Sequence, residues 1–208
     1  IAPPNNVIPP GVTQVTFSYR ADQSNPTDVG IGTVTINIVR DQQNYIAAGA
    51  DAGGGPRVRV FESGTGVPVY DFFAYETTFT GGVRVAVGDL NGDGTDDIVT
   101  VPASGGAVRV KVYDGKDLSL LYDNFVYEPT FLGGAYAAIG DFTADGQNDI
   151  IIGAGEGGGS RVTVITPNPL FFSAFSNPIT VADFFAYDPA LPTGVRVAAG
   201  DLDGDGYD

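Results

Sequence analysis

The chain has 208 residues, and 43% of them are hydrophobic, which is enough apolar material for a packed core. Its 25 acidic and 10 basic residues give a formal net charge of −15, which excludes the basic surface that nucleic acids and anionic membranes require and favours divalent cations. Cys and His are absent, which excludes disulfides, thiolate zinc sites and imidazole-based catalysis.

Residues 1–39 differ from the rest of the chain and are predicted to form a separate N-terminal domain. A Pro-rich lead, IAPPNNVIPP, precedes VTQVTFSYRAD and GTVTINIV, which predict two antiparallel strands joined by the loop QSNPTDVGI. Because an isolated hairpin is marginal in water, we expect it to pack on the following domain, on an upstream module or on another chain. The chain starts at Ile1 and no apolar run reaches the roughly 18 residues of a membrane helix, so we expect a segment of a longer protein without membrane insertion.

Residues 40–208 form a second predicted domain, which repeats itself with a period of 52 residues. The strings YIAAGADAGGGPRVRVF, DIVTVPASGGAVRVKVY and DIIIGAGEGGGSRVTVI begin at Tyr45, Asp97 and Asp149. A later motif ends at Asp89, Asp141 and Asp201, so the third unit is eight residues longer than the second. The extra residues fall in TPNPLFFSAFSNPIT, which is predicted to be a lengthened surface loop because it is rich in Pro.

Each unit contains four short runs rich in Val, Ile and aromatic residues, separated by Gly, Pro, Asn and Asp. Four short strands in about 50 residues are typical of a β-propeller blade. The predicted fold is therefore all-β, a partial β-propeller of about three four-stranded blades plus the N-terminal hairpin. Closed propellers usually need at least four blades, so we expect either more repeats after Asp208 or separate chains that complete one another.

The stretch GDLNGDGTDD concentrates negative charge in one predicted turn between two strands. Asp89, Asn91, Asp93 and Asp97 occupy positions 1, 3, 5 and 9 of this turn, whereas a helical EF-hand loop closes with Glu at position 12. Clustered carboxylates repel one another unless a cation lies among them. Side chains at these positions, with the backbone carbonyl at position 7, supply the oxygen ligands that Ca²⁺ accepts, and Mg²⁺ fits less well.

Two further turns repeat the pattern with changes. The second, DFTADGQND, keeps the acidic residues but has the neutral Thr143 at position 3, so a metal site is less strongly indicated there than in the first turn. The third, DLDGDGYD, carries Asp201, Asp203 and Asp205 and stops one residue before the closing position. The alternative to metal binding is a solvated Asp-Gly turn of the kind that hairpins favour.

The strings GGVRVAVGDLNGDGTDDIV and GGAYAAIGDFTADGQNDIII resemble the FG-GAP or VCBS repeats of integrin-like β-propellers, in which such turns bind calcium. The resemblance covers roughly residues 40–208. By position it implies that the ligands are Asp89, Asn91, Asp93, Thr95 and Asp97 in the first turn and Asp141, Thr143, Asp145, Gln147 and Asp149 in the second. The corresponding segment of the first unit, NIVRDQQNY, lacks these carboxylates, so no site is expected there.

Two weaker resemblances concern the cellular location and the identity of the N-terminal domain. GADAGGGPRVRVF and DFFAYETTF look like the repeat variant of very large bacterial surface proteins, which implies an extracellular place on a bacterial cell. The hairpin VTFSYRAD to GTVTINIV resembles the last hairpin of a cadherin-like or Ig-like module.

Two other recurring sets of residues each allow two interpretations. One set is aromatic and could form either a platform on which sugars stack or part of the core between blades. It consists of Phe72, Phe73, Tyr75, Phe125, Tyr127, Phe184, Phe185 and Tyr187. The other set is basic and could either bind an anionic polysaccharide or form ion pairs with carboxylates inside the protein. It consists of Arg57, Arg84, Arg109, Arg161 and Arg196. The core and the internal pairing are favoured, the second because acids outnumber bases.

These patterns favour a non-catalytic, calcium-stabilised extracellular module for adhesion, surface-layer or fibre architecture, with other modules or copies of itself as partners. A propeller lectin that binds glycans is the alternative, and an exposed aromatic ring beside Asp or Arg would distinguish it. A polysaccharide-degrading enzyme is disfavoured, because the obvious acid pairs are assigned to metal and no Ser-His-Asp set exists.

Overall fold

The structure is a computed structural model, and the chain divides in it into two compact units, Ile1–Asp41 and Gln42–Asp208. It describes the backbone of residues 14–20 and 31–37, and all atoms of residues 43–168, 175 and 177–202. The first unit contains an antiparallel hairpin of β1 (Gln14–Arg20) and β2 (Ile31–Asn37). The predicted hairpin is therefore confirmed, whereas the Pro-rich lead and the connecting loop lie outside the described residues and the cadherin-like or Ig-like assignment stays a prediction.

The described residues of the second unit form three antiparallel sheets, in each of which strands adjacent in sequence are paired. Blade 1 contains β3 (Tyr45–Gly49), β4 (Arg57–Glu62) and β5 (Pro68–Phe73). Blade 2 contains β6 (Val83–Gly88), β7 (Asp97–Pro102), β8 (Arg109–Tyr113) and β9 (Leu120–Phe125). Blade 3 contains β10 (Ala135–Gly140), β11 (Asp149–Ala154), β12 (Arg161–Thr166) and β13 (Ile179–Phe185).

This arrangement confirms the predicted all-β fold with propeller-type blades. Blade 1 has three strands instead of four within the described residues, and its first described residue, Gln43, makes only an isolated bridge with Thr95 of blade 2. The next-to-last strand of every blade, β4, β8 or β12, carries a bulge at the same place, after Val60, Val112 and Val164. None of the described residues forms a helix that is long and apolar enough to span a membrane.

The core lies between successive sheets. All six residues of β7 are buried, and Val99 and Val101 belong to the same apolar cluster as Ile150 and Ile152 of blade 3. Each of two tyrosines also reaches from one blade to the next. The Tyr75 hydroxyl lies 2.9 Å from the Thr100 carbonyl oxygen and 2.7 Å from that of Arg109. Tyr127 repeats these contacts with the carbonyl oxygens of Ile152 and Arg161 at 3.0 and 3.3 Å.

The aromatic residues therefore divide between two environments. Tyr75 and Tyr127 are buried, and Phe72 packs edge-on against Tyr113 of blade 2, so the predicted interblade core is confirmed for these three. The prediction was wrong for the phenylalanines that pair with Arg57, Arg109 and Arg161 at the outer strand ends: Phe73, Phe125 and Phe185. These rings are 53%, 48% and 50% exposed, because successive side chains of a strand point to opposite faces. The remaining two aromatic residues of the set, Phe184 and Tyr187, are also exposed.

The insertion in the third unit corrects a second prediction. Phe175, in the middle of the segment expected to be a surface loop, is fully buried and packs edge-on against Tyr122 at 5.7 Å between ring centroids. Residues 169–174 and 176 lie outside the described residues. The insertion therefore contributes to the core between blades 2 and 3, since a large apolar ring is more stable out of water.

One glycine position allows the blades to approach closely. Gly134 precedes β10 with a φ of 68°, and a Cβ added there would lie 2.4 Å from the Ala103 carbonyl oxygen of blade 2. Gly82 and Gly194 occupy the equivalent position and have similar φ values, 79° and 69°. Glycine is required at this position both for its positive φ and for the missing side chain.

Candidate metal-binding turns

The first acidic turn connects β6 to β7 and is organised by Asp89. One carboxylate oxygen of Asp89, Oδ1, accepts hydrogen bonds from the backbone amides of Gly92 at 2.7 Å and Asp93 at 3.1 Å. The other, Oδ2, accepts one from Gly94 at 2.8 Å. Gly92 and Gly94 have φ values of 75° and 89°, which only glycine adopts easily. The sequence therefore folds the turn around its first carboxylate.

Asp97 closes the same turn from a fully buried position. Its Oδ2 accepts a hydrogen bond from the Leu90 amide at 2.9 Å, and its Oδ1 accepts one from the Gly115 amide at 3.1 Å. Burial, with a smaller contribution from the nearby Asp114 and Asp89, raises the pKa of Asp97 to about 7 against the opposing effect of these two amides. A carboxylate in such surroundings is stabilised in its charged form by a cation.

The intermediate positions of the turn face one another and a neighbouring loop. Asn91 Oδ1 accepts a hydrogen bond from the Asp93 amide at 3.0 Å, and Asp93 Oδ1 accepts one from the Thr95 amide at 2.9 Å. Asp93 Oδ2 lies 3.0 Å from the Nζ of Lys116, which comes from the loop between β8 and β9. Burial raises the pKa of Asp93, but Lys116 and the hydrogen bonds of Thr95 and Asn91 outweigh it and lower the pKa overall.

Sequence reasoning missed two residues of this neighbourhood, Lys116 and Asp114. Asp114 Oδ2 accepts a hydrogen bond from Asn91 Nδ2 at 3.2 Å, so both residues contact the turn from outside it. They belong to YDGKD, and the corresponding part of the third unit is ITPNP. The repeat pattern therefore carried no signal for them, because the third unit has Thr166 and Asn168 at these positions.

The second turn, between β10 and β11, follows the same plan. Asp141 accepts hydrogen bonds from the amides of Asp145 at 3.1 Å and Gly146 at 2.7 Å, as Asp89 does from Asp93 and Gly94. Asp145 Oδ1 accepts one from the Gln147 amide at 2.9 Å. The two turns thus share their hydrogen-bond scheme although Thr143 replaces Asn91.

The second turn also contains buried polar atoms without partners. Asp149 is fully buried, and its Oδ2 accepts a hydrogen bond from the Thr143 amide at 3.0 Å. Its Oδ1 and the hydroxyl oxygens of Thr143 and Thr166 are buried and make no hydrogen bond of acceptable geometry. Burial raises the pKa of Asp149, and the proximity of both threonine hydroxyls lowers it only in part. Such a group of unsatisfied oxygens is unfavourable unless something binds to it.

The remaining predicted ligands are less well placed. Asp201 of the third turn is exposed, and Asp203 and Asp205 lie outside the described residues. In the parts of the chain that the structure describes, no three acidic side chains converge closely enough to hold a metal ion. In both complete turns the carboxylates are occupied mainly by backbone amides. Metal binding therefore requires some of these side chains to rotate toward a common point.

The recurring arginines mostly pair with carboxylates inside each blade. Bidentate pairs with N–O distances of 2.5 to 2.8 Å join Arg57 to Asp71, Arg109 to Asp123 and Arg161 to Asp183. The predicted internal pairing is confirmed for these three.

The pairing was wrong for Arg84 and Arg196, which follow the interblade glycines. Arg84 donates a hydrogen bond to the Ala135 carbonyl oxygen at 2.8 Å and lies 3.8 Å from the centre of the Tyr136 ring. Arg196 lies 5.4 Å from the same ring. Among the described residues, both guanidinium groups therefore contact an aromatic face and form no ion pair with a carboxylate.

Comparison with known proteins supports an integrin-like FG-GAP repeat. Residues 81–113, which contain the whole first turn with its flanking strands, match the FG-GAP repeat family. Integrin alpha-V of Gallus gallus is 31% identical over 134 residues, which cover 61% of this chain and 13% of the integrin. The chain thus corresponds to a small part of that relative. The resemblances to bacterial VCBS repeats and to a cadherin-like or Ig-like module stay predictions.

Proposed function

We propose that the chain is a non-catalytic extracellular module whose blades are stabilised by Ca²⁺ bound in the two complete acidic turns. The observation that carries this proposal is that each turn ends in a fully buried aspartate, Asp97 or Asp149, whose pKa is raised by burial. A cation in the turn would compensate this buried charge. The turns would hold it through Asp89, Asn91, Asp93, Thr95 and Asp97 and through Asp141, Thr143, Asp145, Gln147 and Asp149.

The available donors fit calcium. Carboxylate, amide, hydroxyl and carbonyl oxygens are the ligands of hard cations, and Ca²⁺ tolerates irregular sets of six to eight of them. In the second turn, Asp149 Oδ1 and the Thr143 hydroxyl are buried oxygens without a hydrogen bond of good geometry, so both could turn toward a cation. In the first turn, Lys116 already neutralises Asp93, so calcium would have to displace this ammonium group. Bound calcium would supply the positive charge that holds both turns rigid.

The extracellular and adhesive parts of the proposal rest on the comparisons. The FG-GAP match and the likeness to an integrin support a place at the cell surface and contacts with other proteins, either neighbouring modules or copies of the same chain. The resemblance to repeats of large bacterial surface proteins extends this to surface-layer or fibre architecture. The proposal of a non-catalytic module agrees with the contacts of the acidic residues, which accept hydrogen bonds from amides, pair with arginines or are assigned to the proposed metal.

The substitution Asp97→Asn tests the assignment. We expect it to remove about 2.7 kcal/mol of the stabilisation that calcium gives when its concentration is a hundred times the dissociation constant, because one of two sites is lost. The measurement is denaturant unfolding of wild type and variant, each in 10 mM calcium and in EGTA.

Asp96→Asn is the matched control for this experiment. Asp96 adjoins Asp97, but its Oδ2 accepts a hydrogen bond from the Tyr45 amide at 2.9 Å and its position is outside the alternating ligand pattern. This variant should keep the full response to calcium. A response that is equally large in Asp97→Asn would mean that the first turn binds no metal.

A further inference from the structure

We propose that two equivalent pockets between adjacent blades bind neutral saccharide units. The first interblade pocket lies between blades 1 and 2 and has a volume of about 240 Å³. Its lining includes Tyr75, Glu76, Phe79, Arg109 and Phe125. This inference goes beyond the proposed calcium-stabilised module, because none of these residues belongs to an acidic turn.

The second interblade pocket repeats the first between blades 2 and 3, with a volume of about 430 Å³. The equivalent residues line it: Tyr127, Glu128, Phe131, Arg161 and Phe185. The first four follow their counterparts by 52 residues and the last by 60, as the inserted segment requires. The pocket is therefore a feature of the repeat, not an accident of one interface.

The exposed rings of Phe125 and Phe185 give each pocket an apolar wall. The inner aromatic residues are accounted for by packing, since Tyr75 contacts Phe79 and Tyr127 contacts Phe131 edge-on at 6.0 Å. The two outer phenylalanines instead leave about half of their surface in water. The face of an aromatic ring is negative and attracts the polarised C–H groups of a sugar ring.

The polar side of each pocket offers hydrogen-bond acceptors. The side chains of Glu76 and Glu128 are each 69% exposed and contact an arginine on one side, Arg109 at 3.1 Å and Arg161 at 3.4 Å. A carboxylate has about four acceptor positions, so each glutamate retains capacity for hydroxyl donors. An aromatic wall facing a carboxylate matches a sugar, which has an apolar face and a hydroxyl edge.

The charges of the residues that line the pockets favour a neutral saccharide over an anionic one. Arg109 and Arg161 are each held by a bidentate aspartate as well as by the glutamate. These cations are therefore already neutralised, and the protein as a whole carries a formal net charge of −15. An anionic sugar would meet Glu76 or Glu128 without a free cation to balance it.

The pockets and the acidic turns lie at opposite ends of the same strands. In blade 2 the first turn precedes Asp97 at the start of β7, whereas Pro102 at the end of β7 lines the first pocket. Six strand residues span roughly 20 Å, so a ligand in the pocket does not contact the metal-binding turn. Two pockets on one chain would also strengthen attachment to a surface that displays many copies of a glycan.

The test is binding of the chain to immobilised neutral glycans, ending in glucose, galactose, mannose or N-acetylglucosamine, with sialylated and sulfated glycans alongside. We expect wild type to bind at least one neutral class. Phe125→Ala and Phe185→Ala should each weaken surface binding at least tenfold through loss of bivalency, and the double variant should abolish it. Unchanged melting temperatures would show that the variants remain folded.

Phe73→Ala is the matched control, because Phe73 has the same strand position and similar exposure but lines neither pocket. It should bind glycans as wild type does. The proposal is overturned if no neutral glycan binds, if only anionic glycans bind, or if Phe73→Ala loses as much binding as the double variant. Failure of the calcium proposal would be recognised separately, since Asp97→Asn alters the calcium response and not these side chains.

Discussion

Removal of calcium with EGTA at neutral pH is expected to lower the free energy of unfolding by about 3 to 5 kcal/mol relative to 10 mM calcium. Extracellular calcium sites have dissociation constants of about 10⁻⁴ to 10⁻³ M, so 10 mM calcium is about ten to a hundred times this constant and stabilises by about 1.4 to 2.7 kcal/mol per site. Two complete turns give the sum. The measurement is thermal and denaturant unfolding in the two buffers, with magnesium as a control that should restore less.

The structural reason for this sensitivity is that the first turn joins two blades. Backbone hydrogen bonds link Gln43 to Gly94 at 3.0 Å and to Asp96 at 2.9 Å, so the start of blade 1 is held on the turn. Asp97 also accepts a hydrogen bond from Gly115, which fixes the loop between β8 and β9. Disorder in the turn would therefore loosen the interface as well as the loop. Identical unfolding curves with and without calcium would show that the turns are only hydrogen-bonded Asp-Gly turns.

Phe175→Ala is expected to destabilise the protein by about 3 to 5 kcal/mol, which is the usual cost of deleting a buried phenylalanine ring. Phe175 is fully buried and contacts Tyr122 edge-on, within the cluster that includes Val112 and Ile165. The surrounding strands cannot collapse fully into the space that the ring leaves. Equilibrium denaturation gives the difference directly.

Phe142→Ala provides the comparison for Phe175→Ala, since Phe142 is also a phenylalanine in a connecting segment but is exposed. Its effect should stay within about 0.5 kcal/mol, as for other surface substitutions. If both variants lose less than about 1 kcal/mol, the inserted segment is a surface loop after all and Phe175 contributes nothing to the core.

The blades were predictable because the signals for them are local and repeated. Val58 and Val60 alternate with Arg57 and Arg59 in β4, and this period of two recurs in β8 with Val110 and Val112. Recurrence at 52 residues then identified the propeller. The inserted segment was not predictable, because its Pro content indicated a loop and only the packing between blades 2 and 3 shows that Phe175 has a place in the core.

The turn residues of the candidate site were predicted by position, but their surroundings were not. Alternating acidic residues marked Asp89 and Asp97, whereas nothing in the repeat indicated that Lys116 would approach Asp93 from another loop. The contact of Arg84 with Tyr136 was missed for a related reason, since it joins the first strands of two different blades, β6 and β10. Contacts between blades depend on how the sheets pack, which a pattern within one unit does not specify.

The central claim is that the acidic turns hold calcium, and the most direct test is the number of calcium ions bound at equilibrium, measured by dialysis and metal analysis. The chain, Asp97→Asn, Asp149→Asn and the control Asp96→Asn would be compared at the same free calcium concentration. We predict that each of the two turn variants binds one ion fewer than wild type and that Asp96→Asn binds the same number. Equal numbers in all four proteins would contradict the claim.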